Sequence, residues 1–172
     1  MVERLAASPD LDTPYGGWFT HTLGGRPLVF FHGGFGKVAA AGSAQYAIAR
    51  WRPALLVNLG TCGGFAGRRA VGDDVLARET YVYDLYEQMG DAAETIERFH
   101  TRLDVRAWPA RLAARVHVEP IVSGDRDLDP AAIEGLHARF GANVGDWESA
   151  AIAYVAAANR TPALILRGVS DV

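Results

Sequence analysis

The feature that most constrains this chain is an alternation. Apolar, β-rich segments take turns with alanine-rich or amphipathic ones, and five of the apolar segments end in glycine, hydroxyl or carboxylate groups. PLVFFH runs into GGFGK, ALLVNL into GTCGG, EPIV into SGD, ANVG into DWES, and ALILRGV into Ser170-Asp171. Strands alternating with helices predict an α/β fold around a mixed or mainly parallel central sheet, layered α/β/α. In such sheets ligands bind beyond the carboxyl ends of the strands, where glycine lets backbone approach a ligand. Each turn taken singly is explained by ordinary turn-forming residues. The five together predict one composite site.

The local patterns fill in this frame. WFTHTL and PLVFFH flank Gly24-Gly25-Arg26 and predict a hairpin. Residues 38–51 are alanine-rich with helical spacing and predict a helix. ALLVNLG, residues 54–60, is a continuous apolar run bounded by Pro53 and glycine, which predicts a strand buried on both faces. VLARETYVYDL reads as a strand, and the polar EQMGDAAETIERFH as a loop with a short helix. A helix around residues 108–115 leads to strand HVEPIVSG, and Asp129-Pro130 predicts the N-cap and first turn of a helix ending at Phe140. Strand ANVGDW, a helix over residues 149–159 and strand ALILRGVS complete the pattern.

Composition narrows the class. The 172 residues suit one domain, and 49% hydrophobic with 22% charged residues excludes a disordered or fibrous chain. No apolar run approaches the roughly 20 residues of a membrane helix. MVERLAASPDLD lacks the apolar core of a secretory signal. The single cysteine, Cys62, cannot form an internal disulfide, which predicts a reducing, cytoplasmic setting. A net charge of -3 carries no basic footprint for nucleic acid. Of the 17 basic residues only Lys37 is a lysine, a bias attributed to genomic base composition.

Sharper motifs fail on inspection. Lys37 is followed by Val38, so GGFGKV is no Walker A loop. Gly34 to Ala39 fits a loose dinucleotide pattern, but the next strand carries Asn58 rather than an acidic residue. His21, His32, His100, His117 and His137 show no metal-ligand spacing, and no metal or cofactor is expected. No G-x-S-x-G elbow occurs, and Cys62, with no evident base beside it, suits packing better than nucleophilic attack. The carboxylates Glu148 and Asp171 stand out. Each has a structural excuse, as helix cap or surface ion pair. Within a site, one ionised carboxylate could hold sugar hydroxyls while the other, kept protonated by burial, protonates a leaving group.

The stretch GFGKVAAAGSAQYAIARWRPALLVNLGTCGGFAGRRAVGDDVL, followed in order by IVSGD, GDWESAAIAYVAA and ALILRGVSDV, resembles the nucleoside phosphorylase/nucleosidase superfamily. The branch it is most similar to is methylthioadenosine/S-adenosylhomocysteine nucleosidase and its relatives, including futalosine hydrolase. The resemblance implies cleavage of the N-glycosidic bond of a purine nucleoside. Asp171, beside Ser170, matches the acid that protonates the base, and Glu148 the residue that holds the ribose. Trp147 stands where a sugar-packing methionine is common. Gly63, after Thr61 and Cys62, matches the turn that approaches the ligand, and Leu128 a position whose backbone contacts the base. Glu3 matches the glutamate that activates water. Phosphorylases of the superfamily carry an arginine where this chain has Asn58, so hydrolysis is expected. Phosphorolysis stays open if Arg68 or Arg167 enters the site.

Three departures from the family pattern shape the alternatives. The first strand and the last helix of the family fold are expected to be lacking, and Asp127 replaces the aromatic that commonly stacks on the purine. A second class of function is therefore a catalytically impaired member acting as a binding protein. The family also implies a homodimer. Trp18, Phe19, Trp51 and YVYDLYEQM are candidates for its apolar contact, with a place in the core as their commoner fate.

Overall fold

In the computed structural model, which describes residues 11–109 and 115–172, the first elements form a small antiparallel sheet. Strands β1 (Leu11–Asp12), β2 (Gly17–Leu23) and β3 (Arg26–Phe31) lie in that order. Gly24 and Gly25 make the predicted hairpin turn, with φ of 56° and 76°, the left-handed pair that a type I′ turn requires. The sheet rests on helix α1 (Gly36–Trp51) through aromatic side chains. Trp51 packs 5.1 Å from Trp18 and 5.4 Å from Phe31, and the Arg50 guanidinium lies over the Trp18 ring. Phe19 is buried and stacks on Phe30 at 4.8 Å. These aromatics are therefore used inside the chain, whereas Tyr86 and Met89 of YVYDLYEQM are exposed.

The remaining strands form the central sheet. They are β4 (Leu56–Gly64), β5 (Asp74–Val82), β6 (Thr101–Arg102), β7 (His117–Ser123), β8 (Val144–Asp146) and β9 (Ala163–Asp171). Helices α2 (Ala92–Arg98), α3 (Ile133–Phe140) and α4 (Ser149–Ala158) run between them. The order is β6-β5-β7-β8-β4-β9, with parallel and antiparallel pairs mixed as expected for this α/β class. β5 also pairs antiparallel with β9, so five strands close into a ring. Each ring strand sends a side chain into one cluster: Cys62, Val75, Ile121, Val144 and Ile165, with Ala153 of α4. Burial of each aliphatic there contributes about 1.5–3 kcal/mol. Helices α1 and α4 meet through Ala40, Ala44, Ala151 and Ile152, where short side chains permit close approach.

Two local expectations are corrected, and a third falls largely outside the described residues. β4 is not buried on both faces: Val57 and Leu59 are 51% and 54% exposed. Along that stretch β4 pairs only with β9, because β8 joins it only at Gly63 and Gly64, and no described element covers the alternate side chains. Helix α3 starts at Ile133. The Asp129 carboxylate accepts the Ala131 N–H and its carbonyl the Ala132 N–H, so Asp129-Pro130 builds a preceding turn. The helix expected around residues 108–115 falls largely on residues 110–114, outside the described ones, and the preceding helical turn is a short 3₁₀ segment at Val105–Ala107. No helix of the described residues is long and apolar enough to cross a membrane.

Two charge pairs are built into the sheet. Arg167 of β9 donates from Nε to Asp146 Oδ2 at the end of β8, at 2.7 Å, with both side chains 2% exposed. Gly60 makes room for it, since a Cβ there would lie 3.0 Å from Arg167 Nη1. Arg69 pairs with buried Glu119 through Nε and Nη2, and Asn143 donates to the same carboxylate. Removing one partner of a buried pair leaves a charge with neither water nor counter-ion. Arg167→Met is expected to lower unfolding free energy by about 3–5 kcal/mol, read from urea titration.

Candidate active site

The centre of the site is Gly63 near the end of β4. It lies opposite Gly145 of β8 on one side and Asp171 of β9 on the other, beside a register shift between Cys62 and Gly63. A Cβ on Gly63 would stand 3.0 Å from Leu128 Cδ1 and 3.5 Å from Asp171 Oδ2, and one on Gly145 would stand 2.9 Å from Leu128 Cδ2. Two glycines thus let Leu128 settle over the strand ends next to Asp171. The Ser170 hydroxyl lies 2.6 Å from Asp171 Oδ1 and 3.3 Å from the Cys62 carbonyl, so it can donate to either. Asp171 is exposed rather than enclosed by the described residues. Thr61 lies on β4 opposite Gly168.

Glu148 is three residues beyond Gly145, at the same end of the sheet. Its place is set by Asp146, which accepts from Glu148 N at 3.3 Å, Ser149 N at 3.1 Å, Ser123 Oγ at 2.6 Å, Ser149 Oγ and Arg167 Nε. The Glu148 side chain reaches the start of α1, where Oε1 accepts the Gly36 N–H at 3.0 Å. Helix N-termini carry unpaired N–H groups and favour negative charge. The residue before this one, Phe35, has no side-chain cap to offer. Gly36 has φ +81°, which side-chain-bearing residues rarely adopt. Among the described residues Glu148 Oε2 accepts from no protein donor, which leaves it open to a hydroxyl. Trp147 packs its ring 4.8 Å from that of Phe35, which is 77% exposed.

The predicted residues Gly63, Leu128, Ser170 and Asp171 are therefore brought into contact, with Trp147 and Glu148 at the same strand ends. Glu3 lies outside the described residues. Of the two arginines that could have served phosphate, Arg167 is engaged elsewhere, and Arg68 has one ion pair while its Nε has no hydrogen-bond partner among the described residues. Arg167 is the buried partner of Asp146, and Arg68 donates to Glu134 of α3 at 2.8 Å. Asn58 keeps a buried Oδ1 without a hydrogen-bond partner among the described residues. Sequence reasoning missed Phe35, Asp84, Asp125, Asp146 and the cap role of Gly36. The SGD and DWES turns held the signal for Asp125 and Asp146, since an acidic residue at a strand end has unpaired N–H groups within reach.

The fold and this gathering of strand ends point to a phosphorylase-type protein. A family model described as the phosphorylase superfamily matches residues 2–172, and the chain belongs to that family. It is 31% identical over 171 residues to the 5′-methylthioadenosine/S-adenosylhomocysteine nucleosidase of Maridesulfovibrio salexigens, covering 90% of this chain and 74% of that relative. The Campylobacter jejuni nucleosidase of the same name superposes with a TM-score of 0.86 at 22% identity, over 99% of this chain and 79% of that one. The Neisseria meningitidis nucleosidase, solved with methylthio-immucillin-A, gives 0.79 at 25% identity over 99% and 80%.

Cys62 is buried in the ring core, and burial, assisted by the nearby Asp146 charge, pushes its thiol up from 9.0 to about 12. The thiolate is the reactive form, and so little of it at neutral pH argues for packing rather than nucleophilic work. At pH 8 native Cys62 is expected to react with iodoacetamide at least about a hundredfold more slowly than in denaturant, as followed by mass spectrometry.

Proposed function

We propose that this chain hydrolyses the N-glycosidic bond of a purine nucleoside of the methylthioadenosine or S-adenosylhomocysteine type, with Glu148 and Asp171 as its working carboxylates. The observation that carries the reading is the meeting at Gly63 of three strand ends, one bearing Asp171 and another leading to Glu148. Gly63 and Gly145 add no side chain of their own there, so that Leu128 and Asp171 gather over the strand ends. The family membership and the named relatives support the same chemistry.

In this reading the ribose hydroxyls donate to the free oxygen of Glu148, while Gly36 holds the other oxygen still. Charge from this carboxylate favours the electron-poor sugar that forms as the C1′–N bond lengthens. The bond's electron pair goes to the departing base, and Asp171 supplies the proton that neutralises it. The Ser170 hydroxyl, donating to Asp171 Oδ1, leaves the other oxygen to carry that proton. Water adds to C1′, and its proton passes to Glu3 in the role the family resemblance gives that residue. Leu128 supplies backbone contacts to the base, Trp147 an apolar wall for the sugar, and Thr61 a hydroxyl on the strand leading to Gly63. Asn58 stands where a phosphorylase has an arginine, and Arg167 is held by Asp146, which favours water as the nucleophile. A homodimer in the cytoplasm belongs to the same reading.

Adenine release from methylthioadenosine, measured with and without phosphate, tests the proposal. Release is expected to be phosphate-independent and to yield the free sugar. Asp171→Asn should lower it about 10²- to 10⁴-fold. Glu148→Gln should lower kcat/KM about 10- to 100-fold, the worth of a hydrogen bond to a charged group. No release from a panel of nucleosides, or an Asp171→Asn variant as active as the parent, would sink the proposal in favour of a binding protein.

A further inference from the structure

Lys37 is the chain's only lysine, and it sits one residue after the glycine that holds Glu148. Its ammonium lies against Asp84 Oδ1, just beyond β5, and 3.8 Å from Asp125 Oδ2, just beyond β7. The three residues are cross-linked further. Asp125 N–H donates to Asp84 Oδ2 at 2.9 Å, and Asp125 Oδ1 accepts the Lys37 N–H at 2.7 Å. The first two N–H groups of α1 are thus taken by carboxylates distant in sequence, Glu148 on Gly36 and Asp125 on Lys37.

We propose that Lys37, with Asp84 and Asp125, is a positioning device for Glu148, an inference that rests on the ribose-binding role given to that residue above. Two carboxylates, Glu148 and Asp125, cap the helix start, and a third, Asp84, meets the Lys37 ammonium and the Asp125 N–H. Without a cation among them, Asp125 is repelled by Asp84 and leaves the Lys37 N–H, and the first turn of α1 loses its cap. Gly36 then no longer directs its N–H at Glu148 Oε1, and Oε2 loses its aim at the sugar. A compact ammonium suits the gap between two separate carboxylates, where a forked guanidinium would favour one of them. Stability is not the main product of this cluster. Asp125 is 40% exposed, and an ion pair so placed contributes little to folding. The cluster's three members instead tie the start of α1 to the segments that follow β5 and β7, at the end of the central sheet where Glu148 lies.

The test is a mutant cycle on methylthioadenosine cleavage with Lys37→Met, Lys37→Arg, Glu148→Ala and the Lys37→Met/Glu148→Ala double variant. Lys37→Met is expected to lower kcat/KM about 10- to 100-fold, the usual cost of misplacing a reacting partner. Lys37→Arg should recover part of the loss. In the Glu148→Ala background the Lys37→Met change should cost less than about twofold, because nothing remains to be positioned. Equal losses in both backgrounds, or a Lys37→Met variant at the parent's rate, would overturn the proposal. If Lys37→Met does not fold, Asp84→Asn enters the same cycle with the same expectations. Should the parent cleave nothing, the functional reading above fails on its own, and the cycle is read instead from methylthioadenosine affinity by calorimetry. Absence of binding to the parent would overturn both.

Discussion

Asp146 and Arg167 form a charge pair with almost no access to water, and the organisation of the cleft depends on it. A carboxylate this deep is tolerable only when its lone pairs are filled. Arg167, Ser123, Ser149 and two backbone N–H groups fill them. The consequences run outward from there. The pair joins β8 to β9 across β4, where Gly60 leaves room for the Arg167 guanidinium. The same carboxylate ties down the residues after β8, so that Trp147 and Glu148 leave the sheet along a fixed path. Arg167 is thereby withdrawn from ligand binding.

A second constraint meets the first at Glu148. Helix α1 starts without a local cap, at a glycine in a left-handed conformation, and takes its caps from Glu148 and Asp125. The helix end and the carboxylate satisfy one another, since the first needs an acceptor and the second needs holding. Glu148 is consequently oriented by backbone, which is stiffer than a side-chain partner. In the ribose-holding role proposed for it, Glu148 would benefit from that preorganisation.

Much of the architecture was legible in the residues, because period, glycine placement and alanine content act locally. The Gly24-Gly25 hairpin, helix α1, strand β7 and the α4–β9 succession all formed where the pattern placed them. Elements that depend on neighbours were harder to read. The apolar run of β4 looked doubly buried, but a strand's burial is decided by what lies on each face, and Val57 and Leu59 meet no described element. Asp129-Pro130 looked like a helix start, and its capping bonds were diverted to a turn. At the strand ends, Ser170 and Asp171 stood out as hydroxyl and carboxylate, whereas Gly63 and Leu128 were nominated from the family resemblance. Asp146 and Lys37 could not be assigned, since a buried acid and a lone lysine acquire meaning only from partners dozens of residues away.

The sequence by itself determined the alternation of strands and helices and the polar residues that close β7, β8 and β9, because each depends on nearest neighbours or on residue type alone. The tertiary structure decided the rest. Closure of β5 onto β9 brings the strand ends round one centre, and the choice of partner for each charge then follows. Arg167 went to Asp146, Lys37 to Asp84 and Asp125, and one oxygen of Glu148 to the backbone of α1. Such pairings follow distance and dielectric in the folded chain, which no local pattern encodes.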